Sequence, residues 1–322
     1  MPTTKTYKAD RNDKFSLYVK ERLLPELGLE NSKFIIEPTD KGCHSLITFL
    51  DINDFKPLVI RGVRKKYKLQ RILKNTYFLR QSGFNAPEVL YVDDSRKTYN
   101  EFGNYLVVEE RIEGSSLSEF EDPAAFLPLI ARIFADLHSI NADKWGMIGA
   151  QKKSGFFRYI NQKTQYELSQ ISKKNQNVFT AREIKAYSKW FKNHKNIIKN
   201  RHCYNLCHGD PYLTNISITN DNNLYLLDND HTKFYPMAIE FYKLGFVLNQ
   251  DDQENMANWE NLYCSSLPEH LRAEFQRTQN FYLAYVLLHI ILGLLEDNWR
   301  RERPYAFSPD YAGNLFRQCI EG

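Results

Sequence analysis

The sequence predicts an α+β protein, an antiparallel β-sheet lobe followed by a mainly helical lobe. Three observations predict it. Residues 34–110 hold short apolar or alternating runs bounded by Gly, Pro, Asp and Asn, with one helical stretch among them. From Gly114 onward, apolar residues recur at three- and four-residue spacing instead. Glu110–Gly114 separates the two patterns, so the expected domains are 1–110 and 111–322.

In order, a helix is expected over about Asp13–Leu27, stopping at Gly28. Phe34–Glu37 and Ser45–Leu50 read as strands joined by a loop over Pro38–His44, and Pro57–Val63 as a third after a turn at Asp51–Asp54. A helix over about Tyr67–Ser82 ends at Gly83, and Pro87–Val92 and Asn104–Glu110 add two more strands. The order ββ-β-α-ββ suits a five-stranded antiparallel sheet. Beyond Gly114, Asp122 is an N-cap with Pro123 at the first helical position. Phe126, Leu129, Ile130, Ile133, Phe134 and Leu137 then trace a buried helix face. Further helices are expected at about 155–174, 180–199, 237–248 and 267–298.

With 43% hydrophobic and 25% charged residues in 322, the chain is long enough for a sizeable core and has the balance of a soluble globular protein. A net charge of +4 gives no reason to expect nucleic acid as a partner. Five cysteines without CxxC spacing point to free thiols rather than a disulfide framework or zinc site. The first ten residues lack an apolar core, and the run Leu283–Leu295 is interrupted by His289 and Gly293 and is too short to span a bilayer. The expected location is cytoplasmic, with no transmembrane segment.

Chemistry concentrates in residues 206–230. Asp210 is followed five residues on by Asn215 and thirteen further by Asp228, with a hairpin expected between them through the turn Asn220–Asn223 and the short strand Leu224–Leu227. Phosphoryl transfer needs such a set: a carboxylate to orient a hydroxyl, and oxygen ligands for magnesium. His208-Gly209-Asp210 alone is more often an ordinary turn than a catalytic one. The full HGDxxxxN pattern with its following Asp resembles the catalytic loop of the aminoglycoside phosphotransferase/choline kinase family.

The resemblance implies a bilobal protein-kinase-like fold, with 1–110 as nucleotide-binding lobe and 111–322 as catalytic and substrate-binding lobe. It implies ATP, with GTP as the alternative, and Mg2+ as cofactors. Asp210 becomes the catalytic base, Asn215 and Asp228 the metal ligands, and His208 a brace for the loop. Asp230 either assists a second metal or caps the next turn. Lys41–Ser45 stands where a phosphate-covering loop belongs, so Gly42 and Ser45 are expected at the nucleotide. Arg61 matches the basic residue that reaches the α/β-phosphates. Tyr105–Leu117 resembles the family's hinge, with the backbone of Glu110 and Ile112 reading the adenine and Gly114 letting the chain turn. His138 resembles a structural histidine at a helix end, and Glu240 stands where relatives carry an Asp that steadies the catalytic loop.

Two features depart from the family pattern. The helix after the third strand usually supplies a glutamate to the basic residue, yet no acid lies between Arg61 and Gly83, the nearest match being Gln70. Asn229-Asp230 replaces Phe-Gly, and HRD and Ala-Pro-Glu segments are absent, which argues against a protein kinase. The stretch Arg64–Lys74 is strongly basic, either a solvated helix face or a peripheral anionic contact.

The expected partner is a small-molecule hydroxyl acceptor: an aminoglycoside-like antibiotic, an amino alcohol or a sugar. Acids at Asp251, Asp252, Glu254, Glu260, Glu296 and Asp297 would suit a polyamine. Aromatics at Trp259, Tyr263, Phe281, Tyr282, Tyr285, Trp299, Tyr305, Phe307 and Tyr311 would suit a quaternary ammonium, if they are not simply core. The alternative function is a nucleotide-binding pseudokinase or regulatory module, motivated by the missing acid and the sparse glycine loop.

Overall fold

A computed structural model describes residues 15–38, 46–95, 105–175, 177–199, 201, 203–249, 252–296 and 307–321. The expectations for Gly42 and Ser45, and for Asp251, Asp297, Trp299 and Tyr305, lie outside the described residues. The chain divides into two compact units, one of Met1–Ser115 with Ser217–Asp230, the other of Ser116–Ile216 with His231–Gly322.

The first unit is built on strands β1 (Phe34–Pro38), β2 (Leu46–Ile52), β3 (Leu58–Val63), β4 (Val89–Asp93) and β5 (Tyr105–Glu110), ordered β1-β2-β3-β5-β4. Every neighbouring pair is antiparallel. β2 runs on through Asp51 and Ile52, where the turn was expected, because Ile35 and Phe34 pair with them. Alternation sorts the side chains onto two faces. On one face Leu58, Ile60, Leu106 and Val108 pack against Phe15, Tyr18, Val19, Leu23 and Leu24 of helix α1 (15–26), which contains a π turn at Val19–Leu23. On the other, Val63, Tyr105 and Val107 pack against Leu69 and Ile72 of helix α2 (Lys66–Gln81). Full burial of such side chains stabilises by roughly 1.5–3 kcal/mol each. Arg61 stands on this second face, between Val59 and Val63.

The hairpin of β10 (Ile216–Thr219) and β11 (Leu224–Leu226) joins this unit beside the short strand β6 (Gly114–Ser116). The Leu226 N–H donates to the Asn85 carbonyl at 2.9 Å, and Asn75 Nδ2 of α2 donates to the Asn229 carbonyl at 2.7 Å. Hydrophobic periodicity placed the change of pattern at Glu110–Gly114 and had no means of returning 217–230 to the sheet-bearing unit. Gly114 was expected for a turn, but its backbone is not left-handed. It is required because a Cβ there would stand 2.5 Å from the Ile218 carbonyl oxygen.

The second unit holds helices α3 (Leu127–Ser139), α4 (Phe156–Lys174), α5 (Ala181–Asn193), α6 (Lys195–Lys199), α7 (Met237–Asn249), α8 (Gln253–Ser266), α9 (Glu269–Leu294) and α10 (Pro309–Glu321). Its small sheet has the order β7-β9-β12-β8, formed by β7 (Asn141–Ala142), β8 (Gly146–Met147), β9 (Tyr204–Cys207) and β12 (Lys233–Tyr235). The helix expected over 180–199 is two, divided at His194, and α8 begins at an Asp252 N-cap that accepts from the Asn255 N–H. Trp259, Tyr263, Phe281, Tyr282, Tyr285 and Phe307 are buried, with Trp259 stacked on Phe241 at 5.3 Å. Those rings are core, so they do not present an aromatic cage. Cys203, Cys207, Cys264 and Cys319 are free thiols. Among the described residues, no helix is long and apolar enough to cross a membrane.

Candidate active site

The loop that carries Asp210 follows β9, whose pairing with β12 fixes its start: Cys207 lies opposite Lys233. The next two backbone N–H groups, of His208 and Gly209, both donate to the Glu240 carboxylate, at 2.9 and 2.5 Å. Glu240 is 3% exposed and also pairs with His138 Nε2 at 3.0 Å, while His138 Nδ1 meets the Tyr263 hydroxyl at 2.5 Å. The brace expected at Glu240 is therefore present, and His138 is structural, as its fully buried position requires. Burial by itself would raise the Glu240 pKa. The His138 hydrogen bond, the charges of His138 and His208 and the Gly209 N–H outweigh burial and hold it below the usual glutamate range.

Ligating atoms of His138, Cys207 and Glu240 lie within 4.8 Å of one another. Both Glu240 oxygens and both His138 nitrogens are already in hydrogen bonds, and burial raises the Cys207 thiol well above its ordinary pKa. The cluster is a hydrogen-bonded brace rather than a set of vacant donors.

Beyond the brace, the half-buried Asp210 begins a tight turn in which the Tyr212 N–H donates to the Asp210 carbonyl at 2.8 Å. Asn215 Nδ2 donates to that same carbonyl at 3.0 Å and to Asp210 Oδ2 at 3.3 Å. These contacts fix the carboxylate's direction. They also occupy the amide nitrogen of Asn215, whereas Oδ1 takes no part in them.

In the sheet-bearing unit, Arg61 and Asp228 come together. Arg61 Nη2 donates to Asp228 Oδ1 at 2.6 Å, and Arg61 Nη1 lies 3.5 Å from Glu109 Oε2. Glu109 is the acidic partner missing from α2. Register explains how it reaches: Val59 faces Glu109 across the β3–β5 pair and Arg61 faces Val107, so Arg61 and Glu109 are diagonal neighbours on one face. Gln70, the nearest match on the helix, is exposed. Burial lowers the Arg61 pKa, but the Glu109 and Asp228 charges outweigh it and keep the guanidinium cationic. Burial pushes Glu109 up, against the pull of Arg61.

Asp228 holds a left-handed backbone, φ +54°, which non-glycine residues adopt rarely and at a cost. Asp230 is 5% exposed and lies 3.5 Å from Lys68 Nζ of α2, so its carboxylate is turned toward the helix. Lys68 of the basic stretch is thus turned inward, and Lys66 lies 3.8 Å from Asp94, while the side chains of Arg64, Lys65, Lys66 and Lys74 are exposed.

At the expected hinge, the Glu110 N–H donates to the Glu88 carbonyl at 2.9 Å and the Arg111 N–H to the Pro57 carbonyl at 2.8 Å. The Glu110 N–H is therefore already engaged, and the half-buried Ile112 lies just beyond the strand. Glu109 is the residue that sequence reasoning missed. Its signal was an acid directly after the apolar run Leu106–Val108, in the same alternation as Val107 and so on the face shared with Arg61.

The model of the phosphotransferase enzyme family, APH, matches residues 36–283, well over half of the chain. No curated protein matches the chain significantly. Among solved structures, a putative aminoglycoside phosphotransferase from Ralstonia eutropha is similar at 15% identity and TM-score 0.61, covering 94% of this chain and 96% of that one. An ethanolamine kinase from Plasmodium vivax is similar at 15% identity and TM-score 0.57, covering 95% and 89%. A choline kinase from Streptococcus pneumoniae is similar at 16% identity and TM-score 0.53, covering 95% and 98%. Likeness at these identities carries the fold, which is protein-kinase-like and mixed α+β.

Proposed function

The chain belongs to the phosphotransferase enzyme family, and we propose that within it the protein is a small-molecule O-kinase. It would use ATP, or GTP in its place, with Mg2+, and phosphorylate a hydroxyl of an amino alcohol, a sugar or an aminoglycoside-like compound. Residues 1–110 would serve nucleotide binding and 111–322 catalysis and acceptor binding. The observation that carries this reading is the Asp210–Asn215 pair, held on a loop whose backbone is tied to Glu240.

The residues suit the group they would hold. The amide nitrogen of Asn215 is occupied, so its oxygen is the atom to offer, and the Asp228 side chain is 42% exposed. Both are the oxygen donors a hard divalent ion prefers. When bound, Mg-ATP supplies the transferable phosphoryl group and the cationic charge beside it. Asp210 would orient the acceptor hydroxyl and take its proton late in the transfer. Arg61 would bind phosphate oxygens through its planar fork, and the Glu110 carbonyl and Ile112 backbone would face the base. Gly42 and Ser45 would cover the phosphates, and the exposed basic residues of Arg64–Lys74 would meet an anionic surface. The absence of a membrane-crossing helix among the described residues supports a cytoplasmic location.

The pseudokinase alternative was motivated by the sparse glycine loop and by the absence of an acid on α2, and Glu109 answers the second of these. The test is Mg2+-dependent ATP turnover against a panel of aminoglycosides, amino alcohols and sugars. Turnover on one class, lost by about 10²-fold or more in Asp210→Ala, is the expected result. ATP binding without turnover on any acceptor would transfer support to the non-catalytic module. Turnover that survives Asp210→Ala would remove the assigned base.

A further inference from the structure

Arg61 is 9% exposed and held between two carboxylates that differ in setting. The Glu109 side chain is 7% exposed and comes from the middle of the sheet, whereas that of Asp228 is 42% exposed on a strained turn. Asp228 is also the residue proposed for magnesium. It therefore has two claimants, a guanidinium at 2.6 Å and a divalent cation. When its charge is drawn to a cation, its hold on Arg61 slackens, and a buried guanidinium without a counter-charge is strongly unfavourable.

We infer that Glu109 is a positioning residue, the standing counter-charge that lets Arg61 release Asp228 to metal and turn its freed Nη2 toward phosphate. The inference rests on the nucleotide reading above. The arrangement also differs from a helix-borne partner in kind. A glutamate on a helix separates from the arginine when the helix shifts, whereas Glu109 is joined to Arg61 through the hydrogen-bonded pair β3–β5 and keeps its place. It immediately precedes Glu110, so the strand that ends at the proposed hinge also holds the phosphate-directed cation. α2 is tied instead to the residues after Asp228, through Lys68 to Asp230 and Asn75 to the Asn229 carbonyl.

The experiment is calorimetric titration of the full chain with ATP, with MgCl2 present and with EDTA, in wild type and Glu109→Gln. Without Glu109, Arg61 is neutralised by Asp228 alone, and metal must compete harder for that carboxylate. The expected result is Mg-ATP binding weakened by roughly ten- to a hundredfold, with a raised Mg2+ requirement. ATP in EDTA should bind Glu109→Gln as well as wild type or better, because Arg61 then carries less opposing charge. A general loss of structure would weaken both alike, so equal losses overturn the inference, as does an unchanged Mg2+ requirement. Should Glu109→Gln fail to fold, Glu109→Asp is read in the same way. Its carboxylate is one methylene short, so a smaller shift in the same direction is expected, and no shift overturns the inference. In an Arg61→Met background, Glu109→Gln should have no further effect on the Mg2+ requirement. Wild-type chain that binds no nucleotide overturns the nucleotide reading and this inference together, whereas normal binding with an indifferent Glu109→Gln overturns only the inference.

Discussion

Gly209 lies so close to the carbonyl of His231 that a Cβ on the glycine would stand 2.3 Å from that oxygen. The glycine also has φ +86°, where any L side chain is strained. Its N–H meanwhile donates to Glu240. The middle residue of His208-Gly209-Asp210 is therefore set by sterics, backbone conformation and a hydrogen bond together.

Gly209→Ala is expected to destabilise the protein by about 2–3 kcal/mol or more, and to lower the melting temperature by roughly 5–10 °C. Thermal unfolding followed by circular dichroism measures this. A variant melting with the wild type would show that the loop relaxes at little cost.

Glu240→Gln leaves the His208 and Gly209 N–H groups and the His138 ring facing an amide whose own N–H2 group adds another donor. The expected loss is about 2–4 kcal/mol, read as a lower urea midpoint. Phosphotransferase activity should fall with it, because Asp210 follows directly on the released backbone. Unaltered stability would mean that His138 and Tyr263 hold the loop without the carboxylate.

Glu183 is held down to about 2, first by its hydrogen bond from Arg317, against a small opposing effect of burial, and further by the Thr180 backbone and side chain and by Tyr187. A carboxylate whose folded pKa lies below its unfolded value of 4.5 stabilises above that unfolded value and loses the contribution as pH falls. The wild type should therefore lose melting temperature between about pH 5 and pH 2 more steeply than Glu183→Gln. The pair is partly exposed, so added salt should shrink the difference. Parallel pH profiles for the two proteins would refute the assignment.

Glu167 behaves in the opposite sense. Burial pushes it up to about 7, only partly offset by Lys163 and Lys243, while His289 Nδ1 lies 3.0 Å from its Oε1. Its folded pKa lies above the unfolded 4.5, so the ionised carboxylate costs stability as pH rises from about 4.5 through 7, and the cost is absent below that window. Glu167→Gln should melt above the wild type at pH 8, by an equivalent of at most roughly 3–4 kcal/mol, and close to it at pH 4.5. No gain at pH 8 would show that the surrounding cations compensate the charge fully.

Much of the fold could be read in one dimension because its signals are local. Alternation marks β3 and β5, Gly83 ends α2 with φ +87°, and Asp122 caps the turn at Pro123 as its neighbours suggest. Asp210 and Asn215 are also legible, since five residues and a tight turn place an amide on a carboxylate. Glu109 was not legible as a partner. Its pairing depends on which strand lies beside β3 and in what register, and forty-eight positions separate it from Arg61. The aromatic residues of α8 and α9 stood open to two readings for a related reason, since a ring suited to caging a cation is equally suited to a core, and burial alone decided for the core.

By itself, the sequence determined the kinds of element, their order and the HGDxxxxN loop, because hydrophobic period, turn chemistry and short spacings act between near neighbours. Only the tertiary structure decided which charges meet: Arg61 with Glu109 and Asp228, Lys68 with Asp230, and Glu240 with His138 and two backbone N–H groups. Each meeting joins two distant segments, and in each at least one of the charges is buried. Burial then makes an unpaired charge costly enough that the partner must be there.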